Sequence, residues 1–89
     1  MTMQIADAFV DLRVIEFAQG VAAPYCGLLL GRNGADVIKV EPPVKGDWCR
    51  GLGLRKGDFS SEFIVLNRGK KSLALDMKSP DGRAAAFKL

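Results

Sequence analysis

The stretch LRVIEFAQGVAAPYCGLLLGRNGADVIKVEPP, residues 12–43, decides the fold. Leu12 to Phe17 mixes β-branched and aromatic residues and reads as a short strand, which Ala18-Gln19-Gly20-Val21 interrupts. A helix then begins near Ala23: Pro24 fits its first turn, where a missing N–H costs nothing, and Tyr25 to Arg32 carry it to the terminator Asn33-Gly34. Asp36 to Glu41 is a second strand, stopped by Pro42-Pro43. A helix between two strands lets them run parallel, because the crossover returns the chain to the same end of the sheet.

Downstream the same grammar repeats. Val44 to Asp58 contains Gly46, Gly51, Gly53 and Gly57 without a period and reads as a loop. Ser60-Ser61-Glu62 caps a short helix through Phe63, Ile64, Val65 and Leu66, which Asn67-Arg68-Gly69 ends. Ser72 to Met77 is a third strand. Ser79 is placed to cap a last helix, with Pro80 at its first position and Arg83 to Leu89 as its body. The alternation of strand and helix is the beginning of a doubly wound α/β fold. Three parallel strands are few for a sheet buried on both faces, so residues 1–89 are expected to be the N-terminal portion of a larger domain, or to complete the sheet with a partner.

Composition narrows the chemistry. The chain has 89 residues, 48% of them hydrophobic and 26% charged, which suits a globular segment and disfavours wholesale disorder. No histidine is present, so Ser-His-Asp and Cys-His catalysis and histidine-containing zinc sites are excluded within these residues. Cys26 and Cys49 are too few for a four-thiolate metal site or a disulfide framework, and no signal peptide or membrane-length apolar run is visible, so a cytoplasmic location is expected. The net charge of +3 suits a small anionic ligand but falls short of a nucleic-acid footprint. Arg68, Lys70 and Lys71 form the one tight basic cluster, and without interleaved aromatics it reads as a solvated turn. Cys26, among leucines, reads as packed. Cys49, in a glycine-rich loop beside Arg50, makes only a weak case for a reactive thiol.

Ligands of open α/β sheets bind beyond the C-terminal strand ends. Three segments fall there: residues 18–24, 42–50 and 76–79. Backbone N–H groups at the start of the helix near Ala23 can face an anion. Glu41 lies 21 positions after Gly20, near the spacing at which an acidic residue holds an NAD ribose. The loop reads Gly20-Val21-Ala22-Ala23-Pro24, however, and lacks the glycines that let a pyrophosphate approach, so NAD is disfavoured.

Several segments in register carry a resemblance: Ala22 to Leu30, Gly34 to Pro43, Gly46-Asp47 with Arg50, Leu66-Asn67-Arg68 with Lys70-Lys71-Ser72, and Leu75 to Pro80 with Gly82-Arg83. Over Leu12 to Leu89 the chain resembles the N-terminal segment of class III CoA-transferases, the CaiB/BaiF family. The resemblance implies a Rossmann-like parallel sheet with flanking helices, in a large domain of an interlocked homodimer. It implies no permanently bound cofactor, with coenzyme A or acyl-CoA and carboxylic acids as substrates. Val21 and Ala22 resemble loop positions that contact CoA, and Leu75, Asp76, Met77 and Lys78 resemble the segment lining its adenine and ribose-phosphate end. Lys78 offers an ammonium to a phosphate.

Gln19 stands where members vary and is expected to face the acid substrate. Pro42 occupies a position where some members place a CoA-contacting arginine. The family's nucleophilic aspartate belongs to a later segment, so no catalytic residue is assigned here, and Asp76, at the nucleotide end, is not its substitute. Neither nucleic acid nor membrane is expected as a partner. The alternative is a noncatalytic α/β module that binds a nucleotide or assembles with another chain.

Overall fold

A computed structural model describes residues 7–89. Strand β1 (Arg13–Glu16) leads to helix α1 (Ala22–Arg32) and strand β2 (Asp36–Glu41), as the opening stretch predicts. A 3-10 turn at Trp48–Gly51 and a two-residue hairpin, β3 (Arg55–Lys56) with β4 (Phe59–Ser60), follow. Helix α2 (Ser61–Asn67), strand β5 (Lys71–Ala74) and helix α3 (Pro80–Phe87) complete the order. β1, β2 and β5 form one parallel sheet with β2 in the centre, Glu16 beside Lys39 and Lys39 beside Ser72. The α/β class with a parallel sheet and flanking helices is therefore the observed one.

Local chemistry explains the helix starts. The Ser60 hydroxyl accepts the Phe63 N–H at 3.3 Å, and the Ser79 hydroxyl accepts that of Gly82 at 2.9 Å with Pro80 first in α3. Each satisfies a donor that the helix itself leaves unpaired. α1 starts at Ala22, slightly before the expected Ala23, and its Val21 cap offers no side-chain acceptor. β2 has the expected bounds, while β1 and β5 are shorter than expected. β5 ends at Ala74 rather than Met77, because Asp76 turns the chain: its carboxylate accepts the Lys78 N–H and its carbonyl that of Ser79.

The segment 44–58, expected to be loop, contains the 3-10 turn and the hairpin. Side-chain hydrogen bonds tie both down. Asp47 Oδ1 accepts the Cys49 N–H at 2.8 Å, and the buried Ser60 hydroxyl donates to the carbonyls of Cys49 and Leu52.

Alternation along β2 sends Val37, Lys39 and Glu41 to one face and Ile38 and Val40 to the other. α1 covers the first face. A Cβ on Gly31 would touch Val37, and one on Gly27 would strike Glu16, so the glycine lets the helix approach a charged side chain. Leu28, Val37 and Leu66 are buried there. The same face holds charges that two-strand patterning does not announce: Glu16, Lys39 and Glu41 are all buried.

Candidate functional site

The buried charges organise the C-terminal edge of the sheet. Lys39 Nζ lies 2.7 Å from Glu16 Oε2 and 2.8 Å from Asp47 Oδ2, and donates to the Ala18 carbonyl at 3.0 Å. Lys70 Nζ reaches the other Glu16 oxygen at 2.7 Å, the Pro24 carbonyl at 2.7 Å and Asn67 Oδ1 at 2.8 Å. Two ammonium groups thus face two carboxylates, and the cluster is neutral within itself. Asp47 Oδ1 accepts the N–H groups of Gly20 and Cys49, while Oδ2 accepts no bond of good geometry and meets Lys39 as a charge contact.

Burial opposes the charge on Lys39, but its close contacts with the Asp47 and Glu16 carboxylates outweigh burial, so it holds its proton more tightly than a free lysine. Burial would likewise raise Asp47, yet Lys39 and the two N–H groups bring its carboxyl below the ordinary range. For Lys70 burial wins, and its pKa is lowered despite Glu16. The basic cluster expected to be a solvated turn is therefore divided: Arg68 and Lys71 are exposed, but the Lys70 side chain is buried in an ion pair.

Glu41 closes β2 in a second set of bonds. Arg50 approaches it with two N–H groups at 2.8 Å each, and Ser72 and the Asp47 N–H complete the shell at 2.6 and 2.9 Å. Although burial favours its neutral form, these donors hold its pKa at about 2. Arg50 also lies over the Phe63 ring, 3.8 Å from its centre. With both oxygens engaged, Glu41 has no capacity to hold a ribose, which removes the last feature favouring NAD.

A groove of about 440 Å³ opens at this edge. Phe17, Val40 and Leu75 supply apolar wall from the face opposite α1, Pro42 and Pro43 form one rim, and Gln19 with Asp76, Met77 and Lys78 bring polar and flexible groups. Gln19, expected at the acid substrate, and Leu75–Lys78, expected at the nucleotide end of CoA, line one groove rather than two separate ends of a site. Val21 and Ala22 do not line it. They open α1 as exposed residues, connected to the groove through the pinned 18–20 loop. Pro42 lies at the rim, where it offers shape but no cation.

The cysteines divide as well. Cys49 is fully buried, and burial first, then Asp47 and Glu62, push its thiol up, so it is no nucleophile. Cys26, expected to be packed, is exposed because it faces away from the sheet on α1. Among the described residues no group of acidic, cysteine or histidine side chains has metal-binding geometry, and no helix is long and apolar enough to cross a membrane.

Sequence reasoning placed Pro43 in a candidate segment but missed Phe17, Val40 and the Lys39 cluster. The walls had a signal, since they occupy the ends of the parallel strands. The lysine cluster had none within any one segment, because Lys70 and Glu16 are 54 positions apart.

A parallel sheet with a groove across its C-terminal strand ends is the arrangement at which open α/β folds take small ligands. The model of CoA-transferase family III matches residues 9–89, and the chain belongs to that family. It is 45% identical over 80 residues to succinyl-CoA–D-citramalate CoA-transferase of Chloroflexus aurantiacus, covering 89% of this chain and 20% of the relative. It is also 45% identical over 74 residues to formyl-CoA:oxalate CoA-transferase of Rhodopseudomonas palustris, covering 81% and 17%. Among solved structures, a CAIB/BAIF family protein from Brucella suis superposes with a TM-score of 0.80 at 36% identity, over 89% of this chain and 22% of that one. The chain spans about a fifth of the length of the curated relatives it matches.

Proposed function

We propose that this chain is the N-terminal portion of the large domain of an enzyme that transfers coenzyme A between carboxylic acids, and that its groove takes part of the CoA thioester. The observation that carries the proposal is the meeting of Gln19 with Leu75–Lys78 at the C-terminal strand ends, in a chain of this family. Met77 and Leu75 offer apolar contact to the adenine, Lys78 offers charge to the phosphates, and the backbone around Val21 and Ala22 offers N–H groups at the opening of α1. Dicarboxylic acids are the acid class, since the relatives' names include citramalate and oxalate. Assembly as a homodimer fits a three-stranded parallel sheet that needs cover on both faces. A cytoplasmic location fits substrates of this kind.

The covalent step needs a carboxylate that reaches the thioester carbonyl. Asp76 is unsuited, because its carboxylate and carbonyl already hold the turn into α3. Residues 1–89 alone are therefore expected to bind without turning over. Calorimetric titration of the chain with CoA and with NAD tests the reading. Tighter binding of CoA supports it, and tighter binding of NAD, or turnover by the purified chain, overturns it.

A further inference from the structure

Gln19 is held at three points. The carbonyl before it accepts from Lys39 at 3.0 Å, the N–H after it donates to Asp47 at 2.9 Å, and its own Oε1 accepts the Trp48 N–H at 3.1 Å. The last bond settles the polarity of the side chain. A backbone N–H can only donate, so the amide oxygen must face Trp48, and the amide NH2 must face away from it. Gln19 is exposed at the groove, and among the described residues no protein acceptor takes those two hydrogens, so they are open to a ligand or to water.

We propose that Gln19 is a specificity-determining residue whose amide is oriented as a hydrogen-bond donor, and that it recognises an acceptor oxygen on the ligand, a carboxylate or carbonyl. The proposal rests on the CoA-thioester reading of the groove and adds to it the sign of one contact. A donor fixed by the protein is prepaid in conformational entropy, and it rejects ligands that present a donor of their own at that point. A free carboxylate of an acyl group and an amide carbonyl of the CoA arm share the required chemistry, and ligand choice separates them.

The test compares the full chain with Gln19→Glu and Gln19→Met by calorimetric titration with CoA and with succinyl-CoA. Gln19→Glu keeps an oxygen for the Trp48 N–H and replaces the donor with a second acceptor. Gln19→Met removes both. Gln19→Met is expected to weaken binding by roughly tenfold and Gln19→Glu by roughly 100-fold, the range of a hydrogen bond to a charged or strongly polar acceptor and of its reversal. Hydrogen exchange at the Trp48 N–H provides a second readout: protection persists in Gln19→Glu and falls in Gln19→Met.

Weakening of succinyl-CoA alone assigns the acceptor to the acyl carboxylate, and equal weakening of CoA assigns it to the CoA arm. Equal affinities for the parent and Gln19→Glu, with the parent binding CoA, overturn the donor assignment alone. A parent that binds neither compound overturns the groove's CoA reading and this inference with it.

Discussion

Replacing Lys39 by methionine isolates what the buried cluster contributes. The substitution keeps an unbranched stem as far as Cε and removes the ammonium. Glu16 retains Lys70 at 2.7 Å, but Asp47 loses its one cation, and the Ala18 carbonyl loses a donor. Removing one member of a buried ion pair costs about 3–5 kcal/mol, because the remaining charge stays desolvated without compensation. Against the 5–15 kcal/mol typical of whole domains, that loss takes a large share of the net stability. Urea unfolding followed by circular dichroism is expected to show a much lower midpoint or no cooperative transition. Adding Asp47→Asn removes the stranded charge and is expected to return about 1–2 kcal/mol.

The pH dependence adds a sign. In the parent, Asp47 is held below its unfolded pKa, so its contribution is present above that value and is lost as the pH falls through the folded one. In Lys39→Met the carboxyl is buried without a cation, its folded pKa rises above the unfolded one, and the native state binds the proton more tightly. The stability difference between parent and variant therefore narrows as the pH falls from 7 toward 4. A variant with the parent's midpoint, or with a gap that widens on acidification, refutes the reasoning.

Glu41 extends this linkage, since a pKa of about 2 in place of 4.5 corresponds to about 3 kcal/mol, reduced to roughly 2 because Arg50 is partly solvated; this stability is present above about pH 4.5 and is lost toward pH 2, and Glu41→Gln should flatten the acid limb of an unfolding profile. Gly20→Ala places a Cβ closer than 3.0 Å to the Trp48 ring at a residue with φ of +88°, so a cost of at least about 1–2 kcal/mol and a shift in the emission of the single tryptophan are expected. Gly82→Ala drives a Cβ into the Asp76 carbonyl, and because that turn carries one wall of the groove, both a loss of roughly 1–3 kcal/mol in thermal unfolding and weaker CoA binding are expected.

Much of the fold was legible because its signals are local. Ser60 and Ser79 cap the helices they precede, Pro42-Pro43 ends the central strand, and Asn33-Gly34 ends α1, each through geometry that spans a few residues. The groove was legible in outline, since parallel strands present their C-terminal ends together, and Gln19 and Leu75–Lys78 follow two of them. The exclusion of histidine chemistry followed from composition alone.

The charge cluster was decided by tertiary structure. A lysine in the middle of DVIKVE, or beside Arg68 and Lys71, reads in isolation as a solvated cation, because long charged side chains are rarely buried without a partner. The partners of Lys39 come from β1 and from the 3-10 turn, and Lys70 reaches across α1 and β2 to Glu16. Only folding creates that proximity and excludes water from it. The amide polarity of Gln19 has the same origin: its chemistry is written at position 19, but which end is left free to donate is set by a backbone N–H 29 residues away.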